Sequence, residues 1–320
     1  MSTLNTLINH SKTSFTIVIP TYNEEQDIEK TLHALTSLNY SNFEVLVVDA
    51  STDNTPEIVQ NYDDERIKYL RQTRGYGRSA ARNQGILNAK GEIVVILNAD
   101  VHLPNDFLSC LHVHYIKGAD YVLVESEVKN VEFILPRYIQ SQHRCFYGPN
   151  TKINMNWTEG FSCRRSAAIS VGLFPEGSHS PLVAGEDGWF GELLEKNGYK
   201  RVFDRDMLVK HVMPINFGDF YNQRLGRGWG VSQIWYQRYK MSIMELIFRT
   251  IFQTFITVFG ILLIFPVLRN AFRYSSYSSK GFLDFLPFAG IVAVEGMTNM
   301  IGIWKGLFES FSVIMKQRSS

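Results

Sequence analysis

The sequence is poor in cysteine, and its three, Cys110, Cys145 and Cys163, are odd in number and form no CxxC pair. That excludes a disulfide framework and the common zinc sites, and it fits a reducing compartment. Charge of one sign is lacking too. A net charge of +1 leaves no basic excess with which to hold a nucleic acid. The opening "MSTLNTLINHSKTS" lacks the apolar core of a signal peptide, so residues 1–14 read as a loose leader. No charge occurs between Thr250 and Leu268 in "TIFQTFITVFGILLIFPVL", a run about as long as a bilayer crossing needs. A second apolar run, "FLPFAGIVAVEGMTNMIGIW" at 285–304, is broken only by Glu295, and Arg269, Arg273 and Lys280 lie between the two. A pair of buried core helices would produce such runs, but membrane association accounts for them better. A spanning hairpin would carry the three basic residues to the side away from the rest of the chain, against the positive-inside tendency. Helices lying in the membrane interface would not.

What is present in the first 130 residues is alternation. "FTIVIP" (15–20) reads as a buried strand stopped by Pro20, and "NEEQDIEKTLHALTSL" follows with Ile28, Leu32, Leu35 and Leu38 at helical spacing. "FEVLVVD" (43–49) is a second strand, and "STDNTPEIVQNY" a second helix with Ser, Thr and Asp as caps. "IKYLRQ", "GRSAARNQGILNAK" and "GEIVVILNAD" predict a third strand, a third helix and a fourth strand. Such alternation builds an α/β domain with a mostly parallel central sheet and helices on both faces. Ligands then sit beyond the carboxyl ends of the strands. Three of those ends carry polar or acidic groups: "PTYNEE", Asp49, and Asn98-Ala99-Asp100. A carboxylate at the tip of a buried strand either caps a turn or holds something charged.

As a set, "VIPTYNEE", "VVDASTDNT", "RSAARNQGILNAKGEIVVILNAD", "GEDGWFGELLEKNGYK" and "RLGRG" resemble family 2 glycosyltransferases of the Rossmann-like GT-A fold, over roughly residues 15–235. The resemblance implies a nucleotide-sugar-binding half at 15–130, an acceptor and base half at 131–235, and a membrane-associated helical region at 236–320. It implies that Pro20, Tyr22 and Glu24 of the "PTYNEE" turn, with Asp49, contact the nucleotide, that Asp53 supports them, and that Arg78 approaches the diphosphate. Asp100 matches the metal-binding member of the DxD motif, and Asp187 of "GED" the base of an inverting transfer. Asn98 departs from the family, which has a carboxylate there. An amide still bonds a ribose hydroxyl but removes one negative charge.

The chemistry implied needs a hard divalent cation, Mg2+ or Mn2+, between the phosphates. Asp100 is its expected ligand, with His211 of "VKHVMP" as a second, and His102 as a structural histidine. In the acceptor half Arg164 and Arg165 are expected to be exposed and Gly172 to make a tight turn. Arg224 and Arg227, among the aromatic residues of "QRLGRGWGVSQIWYQRYK", suit a lipid headgroup boundary or closure over the diphosphate, and an amphipathic helix packed on the domain would give the same pattern. The expected function is transfer of a sugar from a nucleotide-diphosphate donor to a lipid-linked or membrane-proximal acceptor. The enzyme would sit at the membrane with its catalytic domain on the cytoplasmic side. A non-catalytic membrane scaffold derived from such an enzyme, and a soluble-acceptor transferase with a buried tail, are the alternatives. A sugar nucleotidyltransferase is disfavoured because "PTYNEEQD" is not a glycine-rich "GxGTR" loop.

Overall fold

The computed structural model describes residues 12–148, 157–178 and 180–319, with side chains as far as residue 316. Two compact units are present. The first contains residues 12–127, 157–175 and 188–211; the second contains 128–148, 176–178, 180–187 and 212–319. This differs from a simple division at 130 and 235. The acceptor half returns to the first unit because two of its segments hydrogen-bond into or beside the sheet, and the C-terminal helices share a unit with earlier ones.

The first unit is one eight-stranded sheet. Its strands are β1 (Phe15–Thr21), β2 (Phe43–Asp49), β3 (Ile67–Arg71), β4 (Ile93–Ile96), β5 (Val101–His102), β6 (Tyr121–Val128), β7 (Phe161–Arg164) and β8 (Arg201–His211), and their order across the sheet is 3-2-1-4-7-6-8-5. β3, β2, β1 and β4 are parallel neighbours. β7 runs antiparallel to β4 and to β6, and β5 antiparallel to β8. The parallel half is the one read from sequence. The antiparallel half comes from β5 and the segments after residue 120, and the complete sheet is mixed.

Side-chain alternation explains why this sheet is buried on both sides. Ile17, Ile19, Val45, Val47 and Val95 share one core with α1 (Ile28–Thr36) and α4 (Phe107–Ile116). Val18, Leu46, Val48, Val94 and Ile96 face the other way, onto α3 (Gly77–Asn88), α6 (Arg165–Ser170) and α7 (Glu186–Lys196). Each such aliphatic side chain contributes roughly 1.5–3 kcal/mol when fully buried. α3 approaches β1 so closely that a side chain at Gly85 would strike Val18. The short α2 (Thr55–Gln60) follows β2.

Residues 1–11 of the expected leader lie outside the described residues. Thr13 is already part of the fold: it is buried, its hydroxyl pairs with His112 Nδ1 at 2.8 Å, and its carbonyl accepts from the Tyr40 hydroxyl at 2.7 Å. Arg164 and Arg165 are half-buried rather than exposed. Arg165 donates to the carbonyls of Ile86 and Leu87 at the end of α3, and Arg164 to the Tyr115 carbonyl and Glu92. Unsatisfied helix-end carbonyls attract guanidinium donors. Gly172 turns as expected, at φ 90°.

The second unit is helical. α5 (Ile134–Tyr147), α8 (Phe217–Gln237), α9 (Ile243–Leu262), α10 (Phe265–Ser275), a 3-10 turn (Gly281–Asp284) and the long α11 (Phe285–Ser319) make it up. Its core joins Tyr138, Phe220, Tyr274 and Phe288, with the Tyr138 ring edge-on to the other three at 5.1–6.3 Å. α9 and α11 are long and apolar enough to cross a membrane by length and composition.

Candidate active site

The loops after β1 and β2 are laced together. Asn23 takes a left-handed conformation, φ 58°, which asparagine tolerates better than most residues. There its amide NH donates to Ser51 Oγ at 2.7 Å and its side-chain oxygen accepts from the Thr52 NH at 2.9 Å. The Glu24 NH donates to Thr55 Oγ1 at 2.9 Å, the Glu25 NH to Asp53 at 3.2 Å, and Asn54 donates back to Glu25. Asp53 also accepts from the Thr55 NH at the start of α2. Asp53 therefore ties the loop after β1 to the start of α2. Asn23, Ser51 and Thr55 carry as much of the bracing, and their short polar side chains in turn positions were the available signal.

This bracing leaves Tyr22 65% exposed at the sheet edge, with Pro20 and Glu24 half-buried beside it. Asp49 is placed otherwise: it has no exposed surface. Its carboxylate accepts from Thr21 Oγ1 at 2.8 Å, the Ser51 NH and hydroxyl, Tyr69 OH at 3.2 Å and Arg71 Nη1 at 3.1 Å. What Asp49 presents to the edge is the arrangement of Ser51 and Arg71 that it holds.

β4 ends at Ile96, Asn98 to Asp100 make the turn, and β5 then pairs with β8. In that pairing Val101 lies opposite His211, so the residue after Asp100 fixes where the histidine stands. His211 is buried; its Nδ1 pairs with Ser126 Oγ at 2.8 Å, and its Nε2 has no hydrogen-bond partner among the described residues. A ring nitrogen held by a hydroxyl while the other is orphaned is the usual setting of a metal-ligating imidazole. Burial, helped by Glu159 and Asp27, pushes the Asp100 carboxyl above the ordinary range, and His211 pulls it part of the way back. Glu24 is pushed up to about 7, first by burial and then by Asp100, Asp27 and Asp53. Negative charge is thus concentrated at this corner beyond what the protein neutralises, and a divalent cation would relieve it. Among the described residues no three His, Cys, Asp or Glu side chains form a cage. Asp100 and His211 fit a cation whose remaining positions are filled by phosphate and water.

Arg78 is exposed in the first turn of α3, after Gly75 and Gly77 at φ 62° and 79°, where helix amides favour an anion. One turn on, Arg82 is almost completely buried. Its Nη2 donates to Thr158 Oγ1 at 3.0 Å and lies 3.4 Å from Asn98 Oδ1, and the guanidinium rests over Phe174. The amide at 98 thus meets a buried arginine. His102 is half-buried on β5.

The second unit holds Asp187, Arg224 and Arg227. Asp187 and Glu186 stand in the first turn of α7, after Gly185 at φ 90°, where the helix dipole favours carboxylates. Tyr147, at the end of α5, has its phenol pushed up by burial, pulled down by Arg227 and pushed up by Asp187. Tyr147 therefore joins the expected base to the expected arginine, and nothing in the sequence pattern marked it. Arg227 is exposed. Arg224, by contrast, has no exposed surface and offers nothing to a diphosphate. Its Nε lies 3.1 Å from Glu295 Oε1 and its guanidinium rests over Phe220. The other oxygen of Glu295 accepts from Tyr138 OH and from Gln142 Nε2. The one charge interrupting the second apolar run is therefore the counter-ion of a buried arginine. Glu295→Leu is expected to cost about 3–5 kcal/mol by leaving Arg224 buried and unpaired. Chemical denaturation of the single variant beside Arg224→Met/Glu295→Leu tests it, because removing both charges should restore most of the loss.

The comparisons with known proteins agree with this geometry. The family model described as "Glycosyl transferase family 2" matches residues 16–176. A glycosyltransferase of Haloferax volcanii, AglE, is 31% identical over 68% of this chain and 73% of its own. A Campylobacter jejuni protein, GalNAc(5)-diNAcBac-PP-undecaprenol beta-1,3-glucosyltransferase, is 34% identical over 35% of this chain and 38% of its own, so the match spans well under two thirds of it. Among solved structures, the mannosyltransferase PcManGT of Pyrobaculum calidifontis, in complex with GDP-Man and Mn2+, superposes with a TM-score of 0.55 at 22% identity. That likeness covers 72% of this chain and 66% of that one, and it concerns the fold. A mixed sheet of this order, braced loops at its carboxyl edge and the family match together make the chain a glycosyltransferase, a member of glycosyltransferase family 2 on the GT-A fold.

Proposed function

We propose that this enzyme transfers a sugar, with inversion, from a nucleotide-diphosphate donor to a lipid-linked acceptor at the cytoplasmic face of a membrane. The single observation that carries the donor side is the orphaned Nε2 of buried His211 beside Asp100. A bound Mg2+ or Mn2+ would supply positive charge to the diphosphate as its bond to the sugar breaks. Asp100 and His211 would hold it, and Arg78 and Arg227 would add charge to the leaving group. Tyr22 offers a ring face to the base, and Asn98 an amide to the ribose. Asp187 takes the proton of the acceptor hydroxyl as its oxygen bonds to the anomeric carbon from the face opposite the departing nucleoside diphosphate. One displacement of this kind inverts the centre and needs one base. The Mn2+ and nucleotide sugar in the Pyrobaculum complex and the diphospho-undecaprenol in the Campylobacter relative's name support the donor and acceptor classes. The two exposed apolar helices support the membrane.

Calorimetric titration of the detergent-solubilised chain with UDP and with GDP, each with and without Mn2+, tests the reading. Metal-dependent binding of one nucleotide is expected. Failure to bind either, in both conditions, would turn the reading toward a scaffold that has lost its donor site.

A further inference from the structure

α9 is built inside out. Met244, Phe248, Ile251, Phe252, Phe255, Phe259 and Leu262 line its exposed side. The side against the protein carries Leu246 and Thr250, both buried, and beyond them Thr254, whose Oγ1 accepts from Trp304 Nε1 at 2.9 Å, and Thr257, packed on Gly296. Water would select the reverse arrangement, and so large an apolar surface marks a contact with another phase or molecule. The surface continues through Leu263, Ile264, Phe265 and Phe272 to Phe282, Leu283 and Leu286, with Leu283 82% exposed.

Resting on the membrane reading above, we infer that α9, α10 and the outer side of α11 lie in the plane of the interface of one anionic leaflet and do not cross the bilayer. The turn between α10 and α11 decides this. A spanning hairpin would carry residues 276–284 to the far side. Yet Asp284 is buried against α5, taking Arg137 Nε at 2.7 Å and Nη2 at 2.9 Å, and it also accepts from the Ser278 hydroxyl. Arg137 Nη1 is tied in turn to the carbonyls of Val131 and Glu132, in the short loop that leads from β6 into α5. The turn is therefore clasped to a helix that leaves the sheet strand by only a few residues.

α11 is held in the same way along its length. Phe288 packs on Tyr138, Glu295 pairs with Arg224, and Glu309 accepts from Trp229 Nε1 at 2.6 Å and Gln233 Nε2 at 3.1 Å, while Lys305 sits over Trp229 at 3.9 Å. A side chain at Gly228 would meet the Asn299 carbonyl, and one at Gly302 the Leu225 carbonyl. α11 cannot enter the hydrocarbon without α8, whose Asp219, Asn222, Gln223 and Arg227 are too polar for that environment. The charges around the apolar surface choose the lipid. Between 243 and 284 the exposed charged residues are Arg249, Arg269, Arg273 and Lys280 against Glu245 alone. A basic rim on an apolar face is the pattern of an interfacial helix on anionic lipid.

The test uses the full chain with one new cysteine, Ser279→Cys in the clasped turn or Ser37→Cys in the sheet unit, both exposed positions. Inside-out and right-side-out membrane vesicles are treated with an impermeant maleimide, the unsubstituted chain giving the background. Labelling of both positions from the same side is expected; labelling from opposite sides would mean a hairpin and overturn the inference alone. A chain found only in the soluble fraction would instead sink the membrane reading itself. In flotation of purified protein, vesicles of phosphatidylcholine with phosphatidylglycerol should recover several-fold more than phosphatidylcholine alone, and Phe252→Glu should abolish recovery while leaving nucleotide binding unchanged. Equal recovery on both vesicles would overturn the anionic assignment. Recovery as a soluble dimer that ignores vesicles would assign the face to a second copy.

Discussion

Asp187→Asn is expected to lower turnover by about 10²- to 10⁴-fold, the usual contribution of a positioned general base, while donor affinity stays unchanged. The substitution keeps shape and most hydrogen bonds but removes the group that accepts a proton. Asp187 lies in a first helical turn, half-buried and near enough to Tyr147 to act on its phenol, so the amide should be accommodated without loss of fold. The loss should fall on kcat and kcat/KM together, with donor KM unmoved, as for an interaction made in the transition state. Single-turnover kinetics beside equilibrium nucleotide binding separate the two. A variant that turns over at the parental rate would remove Asp187 from the base's role. One that loses nucleotide binding as well would make it a donor residue.

The second large effect is expected at the other end of the reaction. Asp100→Ala should abolish the dependence of nucleotide binding on Mn2+ and weaken binding in its presence by about a hundredfold, which corresponds to about 2.7 kcal/mol. His211→Ala should do the same to a smaller degree, because a histidine ligand adds no negative charge to the site and the carboxylate does. Stability gives the control. Burial and neighbouring acids raise the Asp100 carboxyl, so with no cation bound the ionised group opposes folding at neutral pH. Its contribution favours the fold below the unfolded-state carboxyl value and declines as pH rises through the folded one. Asp100→Ala should therefore melt no lower than the parent in chelator at neutral pH, and the parent alone should gain thermal stability on addition of Mn2+ and nucleotide. Full metal-dependent binding in Asp100→Ala would refute the assignment of that corner.

The two expectations concern separate steps, so a double variant distinguishes them further. If Asp187 acts only on the acceptor proton and Asp100 only on the donor, Asp187→Asn should leave the Mn2+ dependence of nucleotide binding as it is in the parent. A coupling between them in equilibrium binding would mean that the acceptor-side carboxylate also senses the diphosphate.

The parallel half of the sheet and the polar residues at its edge were legible in the residues alone. Ile17, Val18 and Ile19 occupy successive positions facing opposite cores, and a strand buried on both sides needs an unbroken aliphatic run that is visible without coordinates. The turns that end such strands need Pro, Asn, Asp, Ser and Thr for conformational reasons that are equally local. Apolar length near the C-terminus was likewise legible, since composition alone sets it.

Only the tertiary structure decided which polar residues those segments meet. Asp49 and Arg71 share an edge because β2 and β3 are adjacent, and His211 reaches Asp100 because β8 pairs with β5 across more than a hundred residues. Arg224 looked like a phosphate ligand, and it is the buried partner of Glu295, which looked like a flaw in an apolar helix. Arg137 and Asp284, unmarked in either segment, form the clasp that holds the apolar turn against α5. A charge in a sequence carries no sign of its partner. Its meaning depends on burial and on the counter-charge brought beside it, and packing between distant segments supplies both.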